Sequence, residues 1–120
     1  MLFSSTARIW LYQQPVDMRR SFDGLAAIAQ NQLSLHASSG DWFVFVNRRR
    51  TQIKILYYHG GGFCIWAKRL EQGRFQSVAN SGDKLELDNA QLQCLISGID
   101  WQKARQFKRY SHTGMVKSTP

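Results

Sequence analysis

Three β-prone runs follow one another between residues 42 and 68, and they constrain this chain to a fold built on a meander. Trp42-Phe43-Val44-Phe45-Val46 is the first, Ile53 to Tyr58 the second and Phe63 to Lys68 the third. Asn47-Arg48-Arg49-Arg50-Thr51-Gln52 joins the first two. His59-Gly60-Gly61-Gly62 joins the second and third, where glycine accepts the positive φ that a tight hairpin needs.

The flanks read differently. Ile9-Trp10-Leu11-Tyr12 is a short β-prone run ended by Gln13-Gln14-Pro15. Met18, Phe22, Leu25, Ala26, Ala29 and Leu33 then recur at helical spacing, with Asp17 as the expected N-cap. Arg19 and Asp23 lie four apart and are expected to pair on the outer face. This helix should fade near Ser34. Lys84-Leu85-Glu86-Leu87 alternates and suits an edge strand. Asp88 with Gln91 resembles a capping box opening a second helix. Leu92, Leu95, Ile96 and Ile99 form its inner face, and Gly98 is its stop signal. The expected fold class is α+β: a small antiparallel β-sheet with one helix before it and one after.

The chain has 120 residues and 43% apolar side chains, which suits one compact core and not a two-lobed enzyme. No run of 18 apolar residues occurs, so no membrane helix is expected. The start lacks the charged and apolar regions of a secretory signal, and a cytoplasmic location is expected. Cys64 and Cys94 stand singly in apolar segments and read as reduced core thiols. No histidine–cysteine spacing fits zinc, so no metal and no cofactor are expected.

Charge is the strongest compositional signal. The formal net charge is +8, and five of the sixteen basic residues (Lys103, Arg105, Lys108, Arg109 and Lys117) fall after residue 100 with no acid among them. Residues 1–101 are expected to form the domain and 102–120 a basic, disordered tail. A basic protein with a basic tail implies a polyanionic partner, most often nucleic acid. Arg48, Arg49 and Arg50 sit at a hairpin tip, where arginine forks can hold phosphate oxygens or simply keep a loop soluble. Lys54 follows closely. Lys68, Arg69 and Arg74 extend the basic character to the other end of the neighbouring strand. All three loop arginines are expected to point into solvent. Trp42, Tyr57, Tyr58 and Trp66 could stack bases, but core packing is the better reading for most of them.

Catalytic motifs lack their context. His59-Gly60-Gly61-Gly62 matches an oxyanion-hole sequence of some esterases, yet no G-x-S-x-G elbow accompanies it. The acids Asp17, Asp23, Asp41, Glu71, Asp83, Glu86, Asp88 and Asp100 are scattered, with no D-x-D or E-x-x-D cluster. No catalytic residue is expected.

Several segments carry a family resemblance. Val16-Asp17-Met18-Arg19-Arg20-Ser21-Phe22-Asp23-Gly24-Leu25 resembles the TDMRKGFDGL stretch of the second-open-reading-frame accessory proteins (TnpB) of the insertion-sequence-66 (IS-66) family. Phe43-Val44-Phe45, Asn47 to Arg50 and Ile53-Lys54-Ile55-Leu56 fit it too. So do Lys68-Arg69-Leu70-Glu71-Gln72-Gly73-Arg74-Phe75 and Gly98-Ile99-Asp100-Trp101. His59 departs from the acid that members commonly carry in a W-D-x-x-G-type turn. The resemblance spans residues 8–101. It implies a non-enzymatic accessory protein that supports transposition beside a separate transposase of the same element, and the charge argument adds DNA as the expected partner beside that transposase. Protein docking on the transposase without DNA contact is the alternative. With its acids scattered, the purified protein should neither cleave nor join DNA, with or without Mg²⁺. Metal-dependent nicking that vanishes on substitution of one acid would overturn this.

Overall fold

The computed structural model describes residues 7–78 and 82–98. Five strands and two helices alternate in the order β1 (Ile9–Tyr12), α1 (Phe22–Asn31), β2 (Trp42–Val46), β3 (Gln52–His59), β4 (Gly62–Arg69), β5 (Lys84–Leu87) and α2 (Asn89–Ile96). They form one sheet in the order β4-β3-β2-β1-β5. The meander is antiparallel, with Val44 opposite Ile55 and Ile55 opposite Trp66. β5 pairs antiparallel with β1 and forms an edge. The α+β class therefore holds, with one addition: β1 runs parallel to β2, Trp10 lying beside Phe43. A parallel pair needs a long crossover, and α1 lies within it.

That crossover covers one face of the sheet, and α2 covers the other. Leu25, Ile28, Ala29 and Leu33 from α1 pack with Trp10, Phe43, Phe45 and Leu56 on one face. On the other, Leu92, Leu95 and Ile96 from α2 join Phe75 against Ile9, Trp42, Val44, Ile53 and Ile55. Alternate residues along each strand serve opposite faces. The aromatics follow this division. Trp42 is buried and stacks on Tyr57 with ring centroids 4.5 Å apart, and Tyr58 meets Phe63 edge-on at 5.1 Å. Trp66 is half-buried against the α2 layer. Cys64 and Cys94 are free thiols, both half-buried.

The turns behave as their residues dictate. Gly60 and Gly61 both have positive φ, +61° and +83°, the pattern of a two-residue type I′ hairpin between His59 and Gly62. Asp88 caps α2 through the Gln91 N–H at 2.7 Å, and the Gln91 side chain accepts from the Asp88 N–H at 2.9 Å. Gly98 has φ +75° and ends that helix, its N–H donating to the Leu95 carbonyl. Ile99 lies outside the described residues.

The start of α1 differs from the sequence expectation. The helix begins at Phe22, with Ser21 as N-cap, and not after Asp17. Residues 17–20 form a separate turn in which the Arg20 N–H donates to the Asp17 carbonyl, 3.1 Å. The turn still seats Met18 against the α1 layer, so the apolar period overshoots the helix by one turn. Arg19 does not pair with Asp23. Its guanidinium and its backbone N–H both donate to the Asp17 carboxylate.

Three lysines fasten this frame. Lys54 Nζ donates to the carbonyls of Met18 (2.8 Å) and Arg20 (2.9 Å) and so holds the turn before α1 onto β3. Lys68 Nζ donates to the Ile96 carbonyl at 2.7 Å, at the negative end of α2. Lys84 Nζ reaches the Leu33 carbonyl, just past α1, at 3.1 Å. Hydrogen bonds from a charged donor contribute about 1.5–3 kcal/mol each. Lys54→Met keeps the aliphatic stem and deletes both donors. It should lower unfolding stability by about 3 kcal/mol, the low end for two such bonds, read as a lower denaturation midpoint at unchanged slope. An unchanged midpoint would show that the clamp adds nothing to stability.

Candidate nucleic-acid interface

The β2–β3 turn owes its shape to Asn47. Its side-chain carbonyl accepts from the N–H groups of Thr51 (2.9 Å) and Gln52 (3.0 Å), and its amide donates to the Thr51 hydroxyl at 3.2 Å. The Arg50 N–H closes the turn onto the Asn47 carbonyl at 3.0 Å. This lifts Arg48 and Arg49 into solvent. Arg50 takes a different path. Its φ is +58°, in the left-handed region that costs a non-glycine residue about 1–2 kcal/mol. Its side chain is half-buried, and its Nε is buried without a hydrogen-bond partner among the described residues. The expectation that all three arginines point outward therefore holds for Arg48 and Arg49 and fails for Arg50. The residue after the turn's last hydrogen bond folds inward where the chain re-enters the sheet.

Other basic residues collect at the same end of the sheet. Antiparallel pairing sets Arg69, the last residue of β4, opposite Gln52, the first of β3. The sequence reading placed Lys68, Arg69 and Arg74 at the other end of the strand; the register brings Arg69 back beside the arginine turn. The Leu70 N–H donates to the Thr51 carbonyl (2.8 Å) and the Phe75 N–H to the Arg50 carbonyl (2.6 Å), which straps residues 70–75 across the turn. Phe75, in the core, anchors that strap and leaves Arg74 exposed. Gly73 adopts φ +79° within it. Arg69 meets Glu71 at 3.6 Å, an exposed pair that leaves both side chains largely solvated.

A cleft of about 580 Å³ separates the Arg48–Arg49 tip from the Asp17–Arg19 turn. The Asp17 carboxyl is held well below its usual range, at about 2, because the Arg19 side chain hydrogen-bonds it and the Arg19 N–H adds a further bond. The pair is exposed, the Arg19 side chain remaining 91% accessible. Arg48 and Arg49 are the cleft's remaining cations.

The remaining candidates are dispersed. Lys54 donates to two backbone carbonyls and Lys68 to one. Asp23 and Phe22 are exposed at the start of α1. Gly24 lies within α1, where an added Cβ would come within 3.2 Å of the Arg20 side chain. Leu70 packs on the α2-side core. Lys103, Arg105, Lys108 and Arg109 lie outside the described residues. Sequence reasoning missed Asn47, the organiser of the turn, although an asparagine opening a polar turn is a recognisable signal.

Comparison with known proteins places the chain in a family. A family described as "IS66 Orf2 like protein" matches residues 7–106. Two curated relatives come from Sinorhizobium fredii (strain NBRC 101917 / NGR234). "Uncharacterized protein y4hO" is 36% identical over 107 residues, 89% of this chain and 93% of the relative. "Uncharacterized protein y4jC" is 31% identical over 99 residues, 82% and 85% respectively. No solved structure matches the chain. The match takes in the Asp17 turn, the arginine hairpin and the 70–75 strap together, and on it the chain belongs to the IS66 Orf2-like family of insertion-sequence proteins.

Proposed function

We infer that this protein is a non-catalytic accessory factor of its insertion sequence and contacts DNA phosphates through the arginine end of the sheet. The observation that carries this is the convergence of exposed Arg48, Arg49, Arg69 and Arg74 around one turn and its strap. Arginine forks suit phosphate oxygens, and such contacts fix position without reading sequence. Among the described residues, Phe22 is the one large apolar side chain that is exposed. A partner-docking surface usually presents a larger apolar patch. Support for a transposase complex then comes from DNA held jointly. Docking on the transposase without DNA is the second reading, and exposed Phe22 is the feature that favours it.

The two readings separate in a salt titration. Each phosphate contact to a duplex contributes about 0.9 to the slope of log K against log salt. Arg48→Ala with Arg49→Ala should flatten that slope by about 1.8 on duplex from the element's ends, and similarly on unrelated duplex. The fold should survive, since exposed substitutions usually change stability by no more than about 0.5 kcal/mol. An unchanged slope in a folded double variant would remove the arginine tip as a DNA contact. If Phe22→Ser then weakened transposase binding, the docking reading would replace it.

A further inference from the structure

The two edges of the sheet are built differently. β5 is four residues long, carries Lys84 and Glu86, and has Glu86 bound by Arg8 at 2.7 Å. Short length and charge are the usual means by which a sheet edge is kept from pairing. β4, at the other edge, is eight residues long and holds the apolar run Phe63-Cys64-Ile65-Trp66-Ala67. No proline interrupts it. Its two charges stand at one end and have partners of their own, the Ile96 carbonyl for Lys68 at 2.7 Å and Glu71 for Arg69 at 3.6 Å.

The register shows which backbone groups this edge presents. His59 faces Gly62 across the two-residue turn, and the Leu70 N–H donates to the Thr51 carbonyl at 2.8 Å. The bonded positions of the β3–β4 ladder therefore fall at Gly62, Cys64, Trp66, Lys68 and Leu70. Phe63, Ile65, Ala67 and Arg69 turn their N–H and C=O groups outward. Among the described residues no strand meets them. Ala67 and Arg69 are exposed, and Phe63 and Ile65 are half-buried.

We propose that β4 pairs antiparallel with β4 of a second copy of this chain, joining the two sheets across a two-fold axis. An antiparallel strand is its own two-fold complement, so each outward N–H meets an outward C=O of the same strand. Charge fixes the direction. Parallel pairing would set the two Lys68-Arg69 ends about 4.8 Å apart, whereas antiparallel pairing holds them about 23 Å apart and brings each near the other copy's Gly62. An added Cβ at Gly62 would meet nothing within 4 Å, so the incoming basic end has room. The competing occupant is the chain's own segment after α2, whose end Lys68 holds. That segment carries Lys103, Arg105, Lys108 and Arg109, which would crowd like charge onto Lys68 and Arg69. Edge pairing runs through the main chain and needs no broad apolar patch. The dimer stands apart from the DNA reading; where both hold, it aims two arginine ends in opposite directions.

The test takes the full chain, free of DNA, through sedimentation equilibrium and amide hydrogen exchange at matched concentrations. A reversible dimer is expected. The amides of Phe63, Ile65, Ala67 and Arg69 should lose about tenfold or more in protection on dilution to monomer. Those of Cys64, Trp66 and Lys68, bonded to β3, should stay protected, which shows that the strand itself has not frayed. Ala67→Pro removes one outward donor where an edge strand tolerates proline, and should weaken dimerisation about tenfold or more. The exchange pattern of the unaltered chain decides the matter if that variant fails to fold. A monomer at every concentration up to about 1 mM, where even weak interfaces associate, would overturn the proposal. So would a dimer whose four outward amides exchange freely. Protection of those amides in a monomer, unchanged by dilution, would assign the edge to the chain's own tail and remove the second copy.

Discussion

The parallel pairing of β1 with β2 is the constraint on which the rest of this structure depends. It moves β2 to the centre of the sheet and forces the chain between them to cross one face. Phe43, Val44 and Phe45 are consequently all fully buried, although they point alternately to opposite faces. A strand covered on both sides reads as a continuous apolar run, and Trp42-Phe43-Val44-Phe45-Val46 is one. The opposite face needs its own cover, which the Phe75 strap and α2 provide. The arginine turn inherits its position from this arrangement, since it leaves the most firmly buried strand in the molecule.

The basic residues divide into two populations. Lys54, Lys68 and Lys84 donate hydrogen bonds to backbone carbonyls at the entry to α1, the end of α2 and just beyond the end of α1. Among the described residues, the exposed arginines at the β2–β3 end, Arg48, Arg49, Arg69 and Arg74, make no such bonds to backbone carbonyls. Lysine serves the first role because a single ammonium can bridge two carbonyls, as Lys54 does. Arginine serves the second because its planar fork matches phosphate.

Much of this was legible in the sequence, and what was not has physical causes. The meander strands follow from their β-branched and aromatic residues and from glycines that fit a type I′ turn. The α2 cap follows from Asp88 and Gln91, whose reciprocal bonds are local. The start of α1 was misread because Met18 keeps the apolar period while the Asp17 carboxylate, turned to Arg19, breaks the helix. The direction of β1 was hidden because pairing across thirty-odd residues leaves no local trace. The Lys54 clamp was hidden because its carbonyl partners, Met18 and Arg20, lie 36 and 34 residues away. Arg50 was hidden for a different reason: nothing in an arginine announces a left-handed backbone.

The two hairpins of the meander face opposite ways along β3. Eight residues separate the arginine turn from the Gly60-Gly61 turn, so the two lie about 25 Å apart at the rise of an extended strand. Both glycines have open space around the position of an absent Cβ. The molecule is thus polarised, with a cationic, strapped and cavity-bearing end and a bare, neutral one. A bulky reporter or a second protein spliced between Gly60 and Gly61 would hang from the pole remote from the arginines. It would leave their end unobstructed, making that turn a natural handle for holding this protein while its other end is engaged.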